Sequence, residues 1–266
     1  FHTSRALGVF HHRWRTRNGS REPDRRLWRV ASAGLVFLAT WPRARLVDAL
    51  ATTVDDHRHS HPSLGAHLMP DAKTIAFYDT AAERYANLTD TGTPNENLLA
   101  FMALLPAGGF VLDIGCGPAR ASVQMRDAGF RPDPVDASTG MIELANKTHD
   151  IGAHLATFDD IDMVDVYDGV WANFSLLHAA HEDLPRYLSA IAKSLHSKGI
   201  FHIAMKVGTG VERDKIDRLY SYVSVPELRG LLNDAGFDVL DVVEGHEVGC
   251  AGTNDPFVVM RARKHA

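Results

Sequence analysis

The stretch of this sequence best suited to chemistry is a glycine turn, Asp113-Ile-Gly-Cys-Gly-Pro-Ala119. The apolar run Val111–Ile114 that leads into it is typical of a buried parallel strand. Gly115 and Gly117 allow backbone angles and a close ligand approach that a Cβ would obstruct. Asp113 is predicted at the carboxyl end of the strand, where its negative charge would repel a pyrophosphate and attract an ammonium or a sulfonium. The pattern therefore predicts the edge of a site for a cationic ligand.

A nicotinamide cofactor is the main alternative ligand for such a turn. The dinucleotide fingerprint requires a third glycine at position 120, where this chain has Arg120. Asp113 also disfavours a pyrophosphate, whereas S-adenosylmethionine carries both an ammonium and a sulfonium. Pro118 suits the first position of the helix that should follow the turn.

The turn resembles motif I of class I S-adenosylmethionine-dependent methyltransferases, acid-x-Gly-x-Gly-x-Gly, with Ala119 in place of the third glycine. The resemblance runs from about Asp71 to the C-terminus and is closest to small bacterial enzymes that act on small molecules. It implies a Rossmann-like three-layer α/β sandwich with a mostly parallel seven-stranded sheet, whose last strand is antiparallel and lies between strands five and six. It implies S-adenosylmethionine as cofactor and in-line methyl transfer to a small-molecule acceptor. A non-catalytic S-adenosylmethionine-binding regulatory module and a nicotinamide-dependent oxidoreductase stay open as alternatives.

Composition divides the 266-residue chain near Met69. Residues 1–68 hold eleven Arg, no Lys and five acidic residues, a formal charge of +6, whereas residues 69–266 carry −11. We therefore expect a methyltransferase domain at 69–266 and an Arg/His-rich N-terminal extension at 1–68. That extension is interpreted as disordered or non-native sequence, a targeting segment or a functional arm. Its apolar run, Ala31–Trp41, is too short to span a bilayer, which requires about 20 residues.

Several classes of partner are disfavoured by the same sequence. The two cysteines, Cys116 and Cys250, form no CxxC pair, which indicates a reducing, cytoplasmic setting and neither a disulfide framework nor a zinc site. The negative charge of residues 69–266 opposes binding to a phosphate backbone. The Asn/Asp-Pro-Pro-Tyr motif of nucleic-acid amino-methyltransferases is absent after the fourth predicted strand. The expected partner is therefore a small-molecule acceptor, with no nucleic acid, membrane or metal, for a monomer or a homodimer.

Further cofactor-binding residues are predicted beyond the turn. Asp136 lies 19 residues after Gly117, where an acid at the tip of the second strand can accept hydrogen bonds from both ribose hydroxyls. Helix capping is the alternative role for Asp136, although Ser138 can fill that role itself. The resemblance implies that Met141 packs against adenine and that the Phe158-Asp159 pair edges it; a solvated acidic loop is the alternative. The predicted set is Tyr85, Asp113, Gly115, Cys116, Gly117, Asp136, Ala137, Ser138, Met141, Phe158, Asp159 and Asn173.

The fourth predicted strand, Tyr167–Asn173, should end next to the glycine turn, since ligands of open α/β sheets lie where the strand order reverses. Asn173, Ser175 and His178 are therefore expected to face the transferable methyl group, with Asn173 and His178 as the catalytic candidates. His178 is the candidate general base, because an unperturbed imidazole is largely neutral at physiological pH. A purely structural role is the alternative for a lone histidine.

The acceptor side is predicted from two segments. A helix at about 71–88 resembles one that closes over the cofactor in the family, although its tyrosines could equally be packing residues. Two glycines, Gly208 and Gly210, make a mobile lid plausible, and the arginines and tyrosines after them suit an anionic or aromatic substrate. A solvated helix face at 212–218 is the alternative. The predicted substrate-binding residues are Tyr78, Lys206, Arg213, Arg218, Tyr220 and Tyr222.

The third strand is expected at His154–Phe158.

Overall fold

The computed structural model describes residues 71–89 and 95–266. The predicted N-terminal extension and its boundary at Met69 lie outside these residues. The helices are α1 (Ala72–Thr89), α2 (Glu96–Met102), α3 (Arg120–Asp127), α4 (Thr139–His149), α5 (Leu184–Ser194) and α6 (Val225–Asp234). The strands are β1 (Phe110–Ile114), β2 (Arg131–Asp136), β3 (His154–Leu155), β4 (Tyr167–Asn173), β5 (Leu195–Lys206), β6 (Val211–Arg213), β7 (Leu219–Ser221), β8 (Phe237–Val248) and β9 (Asn254–Lys264). None of the helices in these two ranges is long and apolar enough to cross a membrane.

Seven strands form one sheet in the order β3-β2-β1-β4-β5-β9-β8, and β6 pairs with β7 in a separate hairpin. Strands β1 to β5 are parallel, whereas β9 runs antiparallel between β5 and β8. The predicted Rossmann-like sheet with an antiparallel last strand is confirmed. The strand order reverses between β1 and β4. Because these two strands are adjacent and parallel, their carboxyl ends lie side by side at one edge of the sheet.

The sheet has an apolar core on each face. On one face, α5 buries residues spaced three and four apart, as expected for one side of a helix packed on a sheet: Leu184, Tyr187, Leu188 and Ile191. The other face carries a smaller cluster in which Leu98 and Phe101 of α2 meet Val111 and Trp171. The two faces share β1, because its successive side chains point to opposite sides.

Two local predictions and one alternative interpretation were wrong. The third strand stops at Leu155, because the Thr157 side chain accepts a hydrogen bond from the Asp159 amide and caps a short 3₁₀ turn over Phe158–Asp160. Pro118 does not begin a helix: α3 begins at Arg120, after Ala119 adopts a left-handed φ of 58°. Residues 212–218 form no helix, since they belong to the β6–β7 hairpin.

Candidate active site

A cavity of about 230 Å³ lies at the carboxyl ends of β1, β2 and β4, beneath α1. Most of the predicted site residues line this cavity, although they come from segments about 100 residues apart. Those that line it are Tyr78, Tyr85, Gly115, Gly117, Asp136, Ala137, Ser138, Met141, Phe158, Asn173 and His178. Parallel strands place their carboxyl ends on one edge of the sheet, which explains why these residues meet there.

The glycine turn forms one wall of the cavity. Gly115 and Gly117 have φ angles of 69° and 53°, in the left-handed region that glycine enters without strain. A Cβ on Gly115 would lie 2.4 Å from the Cβ of Ser175, which is closer than non-bonded carbons approach each other. The backbone amides of Gly115 and Cys116 both donate to the Val135 carbonyl at 2.9 Å, which fixes the turn against β2.

Asp136 connects the two strands that carry the site. Its Oδ2 accepts a hydrogen bond from the Gly117 amide and its Oδ1 accepts one from the Ser138 amide, both at 2.8 Å. Burial raises the pKa of Asp136, and the two amides oppose that rise. Ser138 caps α4 by accepting from the Met141 amide, so this helix does not use Asp136 as its cap. Each carboxylate oxygen retains a further lone pair for a ligand hydroxyl.

Three predicted cofactor residues, Asp113, Cys116 and Asp159, do not line the cavity. Asp113 shares the α3 face of β1 with Val111, and its Oδ2 accepts a hydrogen bond from the Ser122 hydroxyl at 2.7 Å. Burial raises the pKa of Asp113 to about 7. The Cys116 thiol is buried and lies 3.5 Å from the Gly117 carbonyl, and burial raises its pKa. The Asp159 carboxylate forms a salt bridge with Arg186.

Helix α1 covers the cavity and is fastened at both sides. Asp79 accepts hydrogen bonds from the Ser138 hydroxyl at 2.7 Å and the Gly140 amide at 3.0 Å, which joins α1 to the start of α4. Toward its beginning, α1 is joined to the β6–β7 hairpin, because Asp71 pairs with Arg213 and the Leu219 amide donates to Thr74 Oγ1 at 2.9 Å. The Arg213 hydrogen bond holds the pKa of Asp71 down at about 2. These hydrogen bonds and ion pairs join residues as many as 145 positions apart, so no local sequence pattern predicts them.

A hydrogen-bonded chain of side chains lies at the acceptor side of the cavity. The His178 Nδ1 lies 2.6 Å from the Leu219 carbonyl, which only accepts, so Nδ1 carries a hydrogen. Although one surface of the ring faces the cavity, His178 is otherwise enclosed by protein, and burial lowers its pKa to about 4. The imidazole is therefore neutral, and its Nε2 accepts from the Tyr78 hydroxyl at 3.0 Å. Arg218 Nη1 donates to the same Tyr78 oxygen at 2.8 Å.

The cations predicted to bind substrate are paired with carboxylates and do not line the cavity. Lys206 forms an ion pair with Asp255, and its ammonium lies 4.3 Å from the centre of the Tyr220 ring. Arg218 is only 3% exposed, and two of its nitrogens donate to one oxygen of Asp214. Arg213 pairs with Asp71, as described above, while Tyr220 and Tyr222 stack on each other with ring centres 6.1 Å apart. Of the predicted substrate residues, Tyr78 alone lines the cavity.

The end of β4 completes the wall between the two sides. Asn173 Oδ1 accepts a hydrogen bond from His202 Nε2 at 3.1 Å, and the His202 ring stacks on Trp171 at 3.6 Å. Ser175 is 6% exposed, and its buried hydroxyl finds no hydrogen-bond partner among residues 71–89 and 95–266. Sequence reasoning missed the neighbouring wall residue Phe174, whose φ of 57° comes from the turn geometry rather than from its residue type. It also missed Thr74, Tyr187 and Leu219.

Known proteins resemble this chain in sequence and in fold. A family model described as a methyltransferase domain matches residues 111–199. An uncharacterized methyltransferase from Staphylococcus carnosus is 25% identical over 139 residues, which span 52% of this chain and 66% of that protein, slightly less than two thirds of its length.

Solved structures resemble the fold over most of the chain. The 1,6-didemethyltoxoflavin-N1-methyltransferase of Burkholderia thailandensis, solved with 1,6-didemethyltoxoflavin and S-adenosylhomocysteine, is 24% identical at a TM-score of 0.58, covering 77% of this chain and 94% of that one. The cyclase SpnF is 15% identical at a TM-score of 0.56, covering 72% and 95%. These two likenesses show the fold alone. Residues 111–199 thus match a methyltransferase domain, the curated relative is a methyltransferase, and the fold is that of class I S-adenosylmethionine-dependent methyltransferases.

Proposed function

We propose that this protein transfers a methyl group from S-adenosylmethionine to a small-molecule acceptor by in-line displacement. One observation carries the proposal: a single cavity has two chemically different sides. On one side, Asp136 is bound to the glycine turn and suits the hydroxyls of a ribose. On the other side, the Tyr78–His178 pair offers a hydroxyl and a neutral imidazole. The match of residues 111–199 to a methyltransferase domain supports S-adenosylmethionine as the ligand of the first side.

The residues present fit that cofactor. The Ser175 hydroxyl is buried at the cavity wall without a partner in the described part of the chain, and a buried hydroxyl of this kind needs a hydrogen bond. Ser175 packs so closely against Gly115 that position 115 has no room for a Cβ. The turn therefore presents only backbone atoms at this point. On this proposal Asp136 would hold the ribose, Met141 and Phe158 would contact the adenine, and Gly115, Gly117 and Ser175 would lie along the remainder of the cofactor.

When bound, S-adenosylmethionine supplies a methyl group already activated on a sulfonium. The protein therefore has to align the acceptor, exclude water and remove a proton. Helix α1 covers the cavity and would exclude water. The Tyr78 hydroxyl is oriented from two directions, by Arg218 and by His178, and retains a lone pair that can accept a hydrogen bond from the acceptor.

The proton has a defined route through this pair. A hydroxyl or an amide N–H group that gains a methyl cation becomes a strong acid, so even a base whose pKa is about 4, such as His178, can take its proton. The acceptor proton passes to the Tyr78 oxygen while the Tyr78 proton passes to His178 Nε2. The Leu219 carbonyl accepts from Nδ1 throughout and stabilises the imidazolium that results. On this mechanism Tyr78 contacts the acceptor and His178 receives the proton.

Calorimetry followed by a turnover screen tests the proposal. S-adenosylmethionine and NAD are titrated into the full chain, and release of S-adenosylhomocysteine is then measured over a metabolite library. We expect binding of S-adenosylmethionine but not NAD, and turnover of at least one metabolite. His178→Ala should reduce turnover about a hundredfold or more, the usual contribution of a positioned base, with nearly unchanged cofactor affinity. His196→Ala, at an exposed position near the amino end of β5, is the matched control.

Two outcomes would contradict the proposal. Binding of NAD without S-adenosylmethionine would favour an oxidoreductase. Binding of S-adenosylmethionine with no turnover across the library would favour a regulatory module. The cyclase SpnF, which shares the fold, shows why this second outcome must be measured, since the fold by itself does not fix the reaction.

A further inference from the structure

The charges around the acceptor side of the cavity define the kind of molecule that it can take. None of the described residues that line the cavity is a lysine or an arginine. The carboxylates among them are Asp71, Asp136 and Asp183. Asp71 is already paired with Arg213, and Asp183 with Arg186. Among the described residues, the acceptor side therefore has no free cation to pair with an anionic substrate.

The nearest buried cation, Arg218, is committed elsewhere. Its guanidinium donates to Asp214 through two nitrogens and to Tyr78 through the third, and it lies within 6 Å of the ring centres of Phe77, Tyr78 and Tyr220. It is 3% exposed, so a substrate anion reaching it would have to displace Asp214 and break the Tyr78 hydrogen bond. Arg218 thus orients Tyr78 and does not receive the substrate.

The remaining walls of the acceptor side are apolar or neutral. Ile75 comes from α1, Phe174 from the end of β4 and Leu219 from the hairpin, while Tyr78, the neutral His178 and the Thr74 hydroxyl, already bonded to Asp71, supply the polar atoms. An anion enclosed by these groups would lose its water without gaining a counter-ion, which is strongly unfavourable. A protonated amine has no lone pair to attack with and would also approach a sulfonium of the same charge.

From these observations we propose that the methyl acceptor is an uncharged, largely apolar molecule that carries one protic nucleophile, an N–H or O–H group hydrogen-bonded to Tyr78. The inference rests on the proposed function and narrows its substrate class. It replaces the expectation of an anionic substrate, which depended on arginines and a lysine that the folded chain pairs with carboxylates. In the reaction, a bond forms between the acceptor N or O and the methyl carbon, the carbon–sulfur bond breaks with its electrons going to sulfur, and the acceptor proton goes to the Tyr78–His178 pair.

A charge-sorted turnover assay tests the inference on the full chain. Metabolites are grouped as neutral, anionic or cationic at neutral pH, and release of S-adenosylhomocysteine is measured while cofactor binding is followed separately by calorimetry. The best neutral acceptor is then compared with matched analogues in which a carboxamide is replaced by a carboxylate. We expect the carboxamide to have a kcat/KM at least about tenfold higher than the carboxylate.

A charge introduced into the wall provides the second arm. Ile75→Lys places a cation in the acceptor side, with Ile75→Met as the uncharged control of similar length. We expect Ile75→Lys to raise the carboxylate-to-carboxamide ratio of kcat/KM about tenfold, while the control leaves it unchanged. If the wild-type protein preferred carboxylates or phosphates, or bound the cofactor and turned over only charged metabolites, the inference would be overturned and methyl transfer would stand. A failure to bind S-adenosylmethionine would instead remove the proposed function, and the inference with it.

Discussion

Replacing Asp136 with alanine is the most direct perturbation of the cofactor side, because the carboxylate has two separable tasks. In the folded chain it accepts hydrogen bonds from the Gly117 and Ser138 amides, each at 2.8 Å. On the proposed function, its remaining lone pairs accept from the ribose hydroxyls. Asp136→Ala therefore removes both the contacts that hold the turn and the contacts that hold the ligand.

The magnitudes follow from hydrogen bonds to a charged acceptor. Loss of the ribose contacts should weaken S-adenosylmethionine binding by about 1.5–3 kcal/mol, which corresponds to a dissociation constant about 10 to 150 times larger. Loss of the two amide contacts should lower the free energy of unfolding by about 1–3 kcal/mol, since relief of the buried carboxylate offsets part of the cost. The variant should still fold, as a loss of this size is smaller than the stability of a typical domain.

Isothermal titration calorimetry with S-adenosylmethionine, together with urea unfolding, separates the two tasks. Asp168→Ala is the matched control, because Asp168 also accepts from a backbone amide, that of Phe110 at 2.8 Å, but at the amino ends of the strands. The control should lose stability and keep its affinity. If a folded Asp136→Ala protein bound S-adenosylmethionine as tightly as the wild type, the ribose assignment would be refuted and Asp136 would be left with a role in the turn alone.

The pH dependence of S-adenosylmethionine binding provides a second test of the role of Asp136. Because burial raises the pKa of this carboxyl, it becomes protonated at a higher pH than an exposed aspartate with its ordinary value of 3.8. Protonation removes the charge that strengthens the ribose hydrogen bonds. Affinity for S-adenosylmethionine should therefore fall as the pH is lowered through the raised pKa, and this decline should be absent in Asp136→Asn.

Two further predictions concern His178 and the glycine turn. Since burial lowers the pKa of His178 to about 4, wild-type turnover should stay level as the pH falls past 6.5 and should decline only toward pH 4. A loss of turnover near pH 6.5 that is absent in His178→Ala would contradict this prediction. The stabilising effect of the neutral imidazole should be complete above about pH 6.5 and be lost as the pH falls toward 4, measured by thermal unfolding. Gly115→Ala should lower the free energy of unfolding by more than Gly152→Ala. Both glycines have a left-handed φ, but a Cβ on Gly115 would lie 2.4 Å from Ser175, whereas a Cβ on Gly152 would have no atom within 4 Å. Equal losses in urea unfolding would mean that the backbone angle alone matters.

Much of the architecture could be predicted from the sequence because its signals are local. The apolar residues Val111, Leu112 and Ile114, followed by two glycines, predict a buried strand and a tight turn independently of the rest of the chain. The position of Asp136, 19 residues beyond Gly117, follows from the length of one strand-helix-strand unit. The antiparallel last strand, its place between strands five and six, and the adenine contacts of Met141 and Phe158 were implied instead by the resemblance to the methyltransferase family.

What the sequence could not decide were the partners of its charged and polar side chains. Arg218 and Lys206 look like substrate-binding residues in the sequence, but folding brings Asp214 and Asp255 against them, so that within residues 71–89 and 95–266 the acceptor side has no free cation. Asp113 stands in the motif, yet the alternation of β1 directs it to Ser122. His178 has an ordinary imidazole pKa until burial lowers it and Tyr78, 100 positions away, occupies its Nε2. Secondary structure and turns depend on neighbouring residues, whereas charge pairing and burial depend on the packing of distant segments, which only the tertiary structure determines.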